Sequence, residues 1–373
     1  MGLRPGAVEG VVSGQPGLWR DRSVLVTGHT GFKGGWLTLW LHRLGAAVHG
    51  FALDPPTHPS LFEVARLDSM LAADTRADLV QLARLKAAFD DARPSVVFHL
   101  AAQPLVRESY RDPLGTFASN VLGTVHVLEA ARMSDSARAI VLITTDKVYE
   151  NREWVYPYRE VDALGGHDPY SASKAAAEIV AASYRASFFG GNRTRHPARV
   201  ATARAGNVIG GADWAADRLV PDCLRAFATG QSVRLRNPDA VRPWQHVLEP
   251  LAGYLRLAER LLGENGDQFA AAWNFGPDGR GQATVREVAE LAARLWGNGA
   301  CVAPAPRSDD PHEAGFLTLD TTRARTELGW RPRWSLHQAL EYTVAWHRAW
   351  ERREDMAAVS LAQITAYESA SPS

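Results

Sequence analysis

The sequence predicts an α/β protein: a doubly wound parallel sheet followed by a smaller α+β region. Three observations carry this. Short apolar runs alternate with helical periods through the first half of the chain, the order that gives parallel sheets. The runs are apolar on both faces, as strands covered by helices on each side require. They end on glycine or polar residues, at the sheet edge where ligands bind.

The elements follow in order. Ser23–Thr27 (SVLVT) reads as a buried strand running into glycine. Residues 32–44 place Trp36, Leu37, Leu39, Trp40, Leu41 and Leu44 at helical spacing, and Gly45 stops them. A second strand spans 47–53 and a third ends at Asp74. A helix over 78–91 puts Leu79, Leu82, Leu85 and Phe89 on one side. Further strands cover 95–100 (SVVFHL) and 139–144 (AIVLIT), with a long helix over 113–132 between them, opened by Pro113. Beyond Asn207 the segments shorten and gain Trp, Pro and Arg, which predicts the α+β region. Residues 203–209 and some later helices are expected to return to the first domain. The boundaries are a loose tail over 1–18, a first domain over 19–205, a second region over 206–353, and a C-terminal tail over 354–373 that frays.

Composition excludes several classes. The 373 residues suffice for one large domain, or a major plus a minor one. Lys+Arg and Asp+Glu both number 41, so net charge offers no footprint for nucleic acid or an anionic membrane surface. No apolar run approaches the ~18 residues of a membrane span, and the first 18 residues lack the apolar stretch of a signal peptide. Cys223 and Cys301, far apart and without partner motifs, read as free thiols of a reducing cytoplasm. No histidine falls at metal-ligand spacing, so no metal is expected.

Gly28, Gly31 and Gly34 follow the first strand as G-x-x-G-x-x-G and lead into a helix. Gly28 allows a tight turn, Gly31 admits a pyrophosphate close to the backbone, and Gly34 lets the helix pack near the sheet. Thr30 and Phe32 belong to the same cradle. Asp54, 20 residues past Gly34, suits a ribose diol and repels a 2′-phosphate, which favours NAD over NADP. It also reads as a solvated turn residue before Pro55-Pro56. Lys33 is a contrary sign, since a cation there can meet a 2′-phosphate. Asp74 is placed to meet the adenine amino group. The first domain is thus expected to be a Rossmann-type NAD-binding domain.

Tyr170 and Lys174 are four apart on one helical face. A phenol of pKa ~10 is a poor base at neutral pH. An ammonium group and a nicotinamide ring beside it stabilise the phenolate, so it can take a proton from a sugar hydroxyl. Thr145 closes a strand 25 residues earlier and can hold the same oxygen. Trp244 reads as core.

The Thr145, Tyr170 and Lys174 set with the glycine loop resembles the extended short-chain dehydrogenase/reductase superfamily over nearly the whole chain. His99-Leu100-Ala101-Ala102-Gln103 is similar to that branch's segment beside the cofactor, placing Ala101 there. Asn120 matches its helical asparagine, and Arg204–Gly210 its nucleotide-sugar segment. Within the branch, Thr144-Thr145-Asp146-Lys147-Val148-Tyr149, Gly165–Tyr170, Arg242–Val247, Leu53–Thr57 and Asn151–Trp154 look like the CDP-D-glucose 4,6-dehydratase group. The resemblance implies a cytoplasmic lyase that uses NAD to oxidise C4 of CDP-glucose, eliminate water across C5–C6 and reduce C6. It makes 206–353 mainly a nucleotide-sugar-binding region, with Arg242, Arg234, Arg236 and Asn207 as candidates for the diphosphate, each equally suited to a structural role. Asp146 would be the acid and Lys147 the base, although an ordinary carboxyl is ionised and an ordinary lysine protonated at pH 7. Lys147 as a cation holding a substrate oxygen stays open. His312-Glu313 sits where relatives contact the nucleotide. The helices over 113–132 and 170–188 resemble the pair through which relatives form dimers, so a homodimer or a tetramer is expected. A nucleotide-sugar 4-epimerase, a 4,6-dehydratase of another nucleotide sugar, and a redox-sensing NAD protein remain competing readings. The cytosine preference rests on the resemblance alone.

Overall fold

The computed structural model describes residues 17–190, 196–277, 281–303 and 315–371. The first half of the chain runs β1 (Ser23–Thr27), α1 (Phe32–Arg43), β2 (Ala47–Ala52), α2 (Leu61–Val64), β3 (Ala73–Arg76), α3 (Leu82–Ala92), β4 (Val96–His99) and α4 (Val106–Arg111). It continues with α5 (Pro113–Phe117), α6 (Gly123–Met133), β5 (Ala139–Ile143) and α7 (Pro169–Ser187). The second half contributes β6 (Arg199–Ala205), β7 (Asn207–Ile209), α8 (Leu219–Ala228), β8 (Val233–Arg234), β9 (Val241–His246), α9 (Leu248–Leu262) and β10 (Ala272–Phe275). It ends with β11 (Gln282–Thr284), α10 (Val285–Trp296), β12 (Val302–Ala303), α11 (Leu336–Glu351) and α12 (Met356–Ser369).

Seven strands form one sheet in the order β10-β6-β5-β4-β1-β2-β3, parallel throughout. The order reverses between β1 and β4, so the crevice beyond their carboxyl ends is the place for a ligand. One core packs Trp36, Trp40, Val24 and Phe98 against α9 and α12. A second packs Leu85, Phe89, Val127 and Ile140 on the opposite face. Two small sheets, β11-β9-β7 and β12-β8, with α8 and α10, make the lesser region around Leu224, Trp244 and Trp296. The predicted α/β architecture is therefore present. Among the described residues no helix is long and apolar enough to cross a membrane.

Three local expectations are corrected. The helix predicted over 113–132 is interrupted by a π-helical turn at Ala118–Leu122. The segment 203–209, expected to return to the first domain, divides at Gly206: β6 joins the large sheet, and β7 pairs with β9 in a small one. A Cβ at Gly206 would approach Pro243 Cγ to 2.5 Å, so only glycine fits this crossover. The tail expected to fray after Arg353 instead forms α12, N-capped by Asp355. Ile364 and Tyr367 are fully buried there, and Glu368 accepts from Trp40 Nε1 at 2.9 Å and Arg43 at 3.0 Å. The anchors lie more than 300 residues away in sequence, so no local pattern reveals them.

Tyr367 also donates to buried Glu249 at 2.7 Å, and the same carboxyl accepts the backbone N–H groups of Arg333 and Trp334. Burial, only partly opposed by these bonds, pushes the Glu249 carboxyl up to about 7 from its ordinary 4.5. The folded state thus holds a proton that the unfolded chain releases. This contribution is fully present below pH 4.5 and is lost as pH rises to about 7. Urea unfolding at pH 5 and pH 8 should show wild type losing roughly 3 kcal/mol relative to Glu249→Gln, at about 1.4 kcal/mol per pKa unit. Equal pH slopes in the two proteins would refute it.

Candidate active site

Gly28, directly after β1, has φ +76°, and a Cβ there would lie 2.6 Å from Ala101 N. A Cβ on Gly34 would fall 2.0 Å from the Gly28 carbonyl oxygen, so the first turn of α1 closes only around glycine. Gly31 is different: its missing Cβ would meet only Gly28 O, at 3.4 Å. No protein neighbour demands glycine there, and the open space fits a diphosphate lying on the backbone. The N-terminus of α1 has no side-chain cap, which leaves its N–H groups for such an anion. Thr30 closes the loop by donating to Leu53 O at 3.0 Å, and the Phe32 ring lies beside Gly210. The loop therefore fits a dinucleotide.

Asp54 follows β2 and is 87% exposed, 3.5 Å from Arg76. Asp74 is the second residue of β3 and does not close it. Burial would raise its pKa, but bonds from His29 (2.9 Å) and Arg76 (2.8 Å) prevail and hold it at about 2. Arg76 also lies 4.5 Å over the Phe62 ring. Beyond β2 and along β3 runs a chain of ion pairs, His29–Asp74–Arg76–Asp54, in which Asp54 is the most exposed member.

The catalytic candidates converge beyond β5. Thr145 donates to Asp146 Oδ1 at 3.0 Å, and the same hydroxyl proton can turn instead to the Tyr170 phenol, where it favours the ionised form. Tyr170 enters on the first turn of α7, which Asp168 caps. Lys174, one turn on, donates to Ile143 O at 3.1 Å. Burial brings Lys174 down to about 8, against the pull of Glu178. Burial pushes the Tyr170 phenol up to about 12, the Thr145 bond and Arg218 lower it, and Asp146 raises it. Asp146 is itself raised by burial, opposed by Lys147, Thr145, Arg242 and Lys33. Its Oδ2 is buried without a partner and faces the Gly206 crossover.

Several residues enter that the sequence reading missed or misplaced. Lys33, read from the sequence only as a contrary sign to the NAD preference, interacts with Lys174 and Asp146 of the candidate catalytic group. There burial, Arg218 and Lys174 lower it to about 7, and Asp146 and Asp213 oppose them. Arg218 precedes α8, is fixed by Asp213 at 2.9 Å, and acts on Tyr170. Nothing local in the sequence marks this pair. Glu178 was legible: it lies four residues past Lys174, on the face that carries Tyr170. It accepts from Thr144 (2.6 Å), Thr202 (2.8 Å) and Arg204 (2.8 Å), all buried. Asn120 bridges Gln103 O (3.0 Å) and Ser173 (2.8 Å), joining the segment after β4 to α7. His99 lies between Thr27 and Thr124, and burial brings it down to about 3, so it is neutral.

Of the phosphate candidates, Arg242 is buried on β9 and acts on Asp146, and Asn207 adjoins Gly206 at the start of β7. Arg234 is exposed on β8, and among the described residues it makes no hydrogen bond or ion pair with Thr145, Asp146, Tyr170 or Lys174. Arg236 grips Asp217 at 2.9 Å, with Arg107 at 3.8 Å. Trp244 is core and donates to Ala283 O at 3.0 Å. His312 and Glu313 lie outside the described residues. Among the described residues no group of His, Cys, Asp and Glu is arranged to hold a metal.

A dinucleotide cradle facing a threonine-bonded phenol, with an ammonium one turn away, defines an oxidoreductase-type fold that works on alcohols. The profile of the GDP-mannose 4,6 dehydratase family matches residues 25–343, and the chain belongs to this family. It is 49% identical over 354 residues to CDP-glucose 4,6-dehydratase of Salmonella typhimurium strain LT2, covering 95% of this chain and 98% of that one. It is 30% identical to dTDP-glucose 4,6-dehydratase of Streptomyces griseus, over 68% of this chain and 73% of the relative. Among solved structures, the UDP-glucose 4-epimerase of Thermus thermophilus complexed with NAD superposes with TM-score 0.72 at 25% identity, covering 86% and 97% of the two chains.

Arg218 lowers the pKa of the Tyr170 phenol, so its removal should raise it. In Arg218→Met the acid limb of kcat/KM should move to higher pH and the rate at pH 7 should fall about tenfold, for one pKa unit. A pH–rate profile superposable on wild type would refute the assignment.

Proposed function

We propose that this chain is an NAD-dependent hydro-lyase that converts CDP-D-glucose to CDP-4-keto-6-deoxy-D-glucose. The observation that carries it is buried Asp146, with Oδ2 unpartnered, next to Lys147 and bonded to the threonine that holds Tyr170. A 4-epimerase needs the Thr145, Tyr170 and Lys174 set but no acid beside it. The 49% identical CDP-glucose 4,6-dehydratase supports the same choice.

The chain's residues divide the work. Asp54 and the Gly28, Gly31 and Gly34 loop hold NAD, with Thr30, Phe32, Asp74 and Ala101 around it. Bound there, NAD would supply reversible hydride transfer, taking up the hydride of sugar C4 and giving it back at C6. Tyr170 takes the proton of the 4-hydroxyl, which Thr145 orients, while Lys174 and Arg218 supply positive charge to the phenolate. The 4-ketone acidifies the C5 hydrogen. Lys147 removes that proton, Asp146, whose protonated form burial favours, gives one to the 6-hydroxyl so that it departs as water, and Lys147 returns a proton to C5 as hydride reaches C6. Arg242 and Asn207 meet the diphosphate, with Arg234 at the outer end.

Incubation with NAD and CDP-glucose should yield the 4-keto-6-deoxy sugar by chromatography; an epimerised or unchanged sugar would refute the reading. Lys147→Ala should oxidise C4 yet lose solvent-deuterium incorporation at C5, and normal incorporation would remove Lys147 from the base role.

The reading extends to a cytoplasmic homodimer. Two free cysteines suit that compartment. Leu114 is 81% and Ile179 60% exposed on α5 and α7, an apolar face suited to a second copy. Leu114→Glu should sediment as a monomer where wild type sediments as a dimer; a monomeric wild type would end the proposal.

A further inference from the structure

A cavity of about 420 Å³ opens at the end of the large sheet remote from the catalytic residues. Its position follows from the topology. Arg22 immediately precedes β1, Arg138 immediately precedes β5, and Arg199 opens β6, and all three line it. The strands are parallel, so these are amino ends. Gly28, Ala101 and Thr145 lie beyond carboxyl ends, on the opposite edge.

The three guanidinium groups are incompletely satisfied. Arg22 donates to Leu18 O at 2.8 Å and Ser95 Oγ at 3.4 Å. Arg138 donates through Nη1 to the carbonyls of Asp135 and Ala137, both at 2.8 Å. Arg199 uses Nε on Asp267 at 3.0 Å and Nη1 on the carbonyls of Leu261 and Gly263. Among the described residues the Nη2 group of each has no acceptor, and Arg22 and Arg138 have no carboxylate partner. Burial lowers the pKa of Arg22, the expected response of a half-buried cation without a counter-ion. Leu18 and Leu262 supply apolar wall, and Glu259 stands at the rim, accepting from Trp19 Nε1 at 3.0 Å.

We propose that this cavity is a second ligand site, for a phosphate-bearing small molecule, separate from the catalytic crevice. Guanidinium forks from three strands suit the three free oxygens of a phosphoryl group better than the two of a carboxylate. The volume falls in the range of small-molecule sites, and the leucines accept an apolar portion of the ligand. A phosphoryl group here would tie together the starts of β1, β5 and β6, the strands whose far ends carry Gly28, Thr145 and the Gly206 crossover.

The test is calorimetric titration of inorganic pyrophosphate into the full chain saturated with NAD and CDP, so that phosphate positions in the catalytic crevice are filled. One saturable site per chain is expected. Its Kd should rise about tenfold or more in Arg138→Ala, the loss of one charge-assisted contact. Arg138 is exposed and bonds only adjacent carbonyls, so this variant should fold and keep wild-type kcat and KM. Arg22→Gln should weaken binding likewise. No saturable binding, or a Kd unchanged in both variants, would overturn the proposal. So would binding that appears only when NAD and CDP are left out.

Discussion

The site depends on one buried carboxylate. Glu178 stands four residues past Lys174 and eight past Tyr170, on one face of α7. It accepts from Thr144 at the end of β5 and from Thr202 and Arg204 on β6. These three bonds fix the rotation and height of α7 over the sheet, and hence where the phenol and ammonium meet Thr145 and Asp146. Burial would raise the pKa of Glu178, yet Arg204 and the two hydroxyls bring it below the ordinary value. An ion pair this buried, with side chains only 3% and 4% exposed, gives little net stability. Its effect is positional, because neither partner can leave without stranding a charge.

Given that frame, the pocket becomes a contest between burial and charge. Desolvation favours the protonated forms of both Tyr170 and Asp146. For an elimination these two preferences have opposite value. A protonated Asp146 suits an acid that must give a proton to a leaving hydroxyl. A protonated Tyr170 obstructs a base, so positive charge has to be supplied to it. Arg218, locked by Asp213, supplies part of that charge, while Lys33 and Arg242 act chiefly on Asp146. Burial lowers both Lys33 and Lys174, and Arg218 and Lys174 crowd Lys33 further, so the pocket around Lys33 suits an anionic substrate.

The large sheet orders two edges at once. Its carboxyl ends gather the glycine loop, Thr145 and the Gly206 crossover. Its amino ends gather Arg22, Arg138 and Arg199. Parallel strands put every start on one side and every finish on the other, so chemistry at one edge and a phosphate at the other would share the same rigid layer.

The sequence by itself determined the sheet, the glycine loop and the Tyr170–Lys174 face, because each rests on local periodicity or short spacing. It also contained Glu178, at the next turn of the same helix, with no local sign of what that residue would meet. Only the tertiary structure decided the rest. The direction of Lys33, the Arg218–Asp213 pair, the engagement of Asp74 and the burial of α12 all depend on partners brought together by packing across sequence separations that local patterns do not span. A side chain's charge is written in the chain, but the burial and neighbours that set its protonation arise only when distant segments close around it.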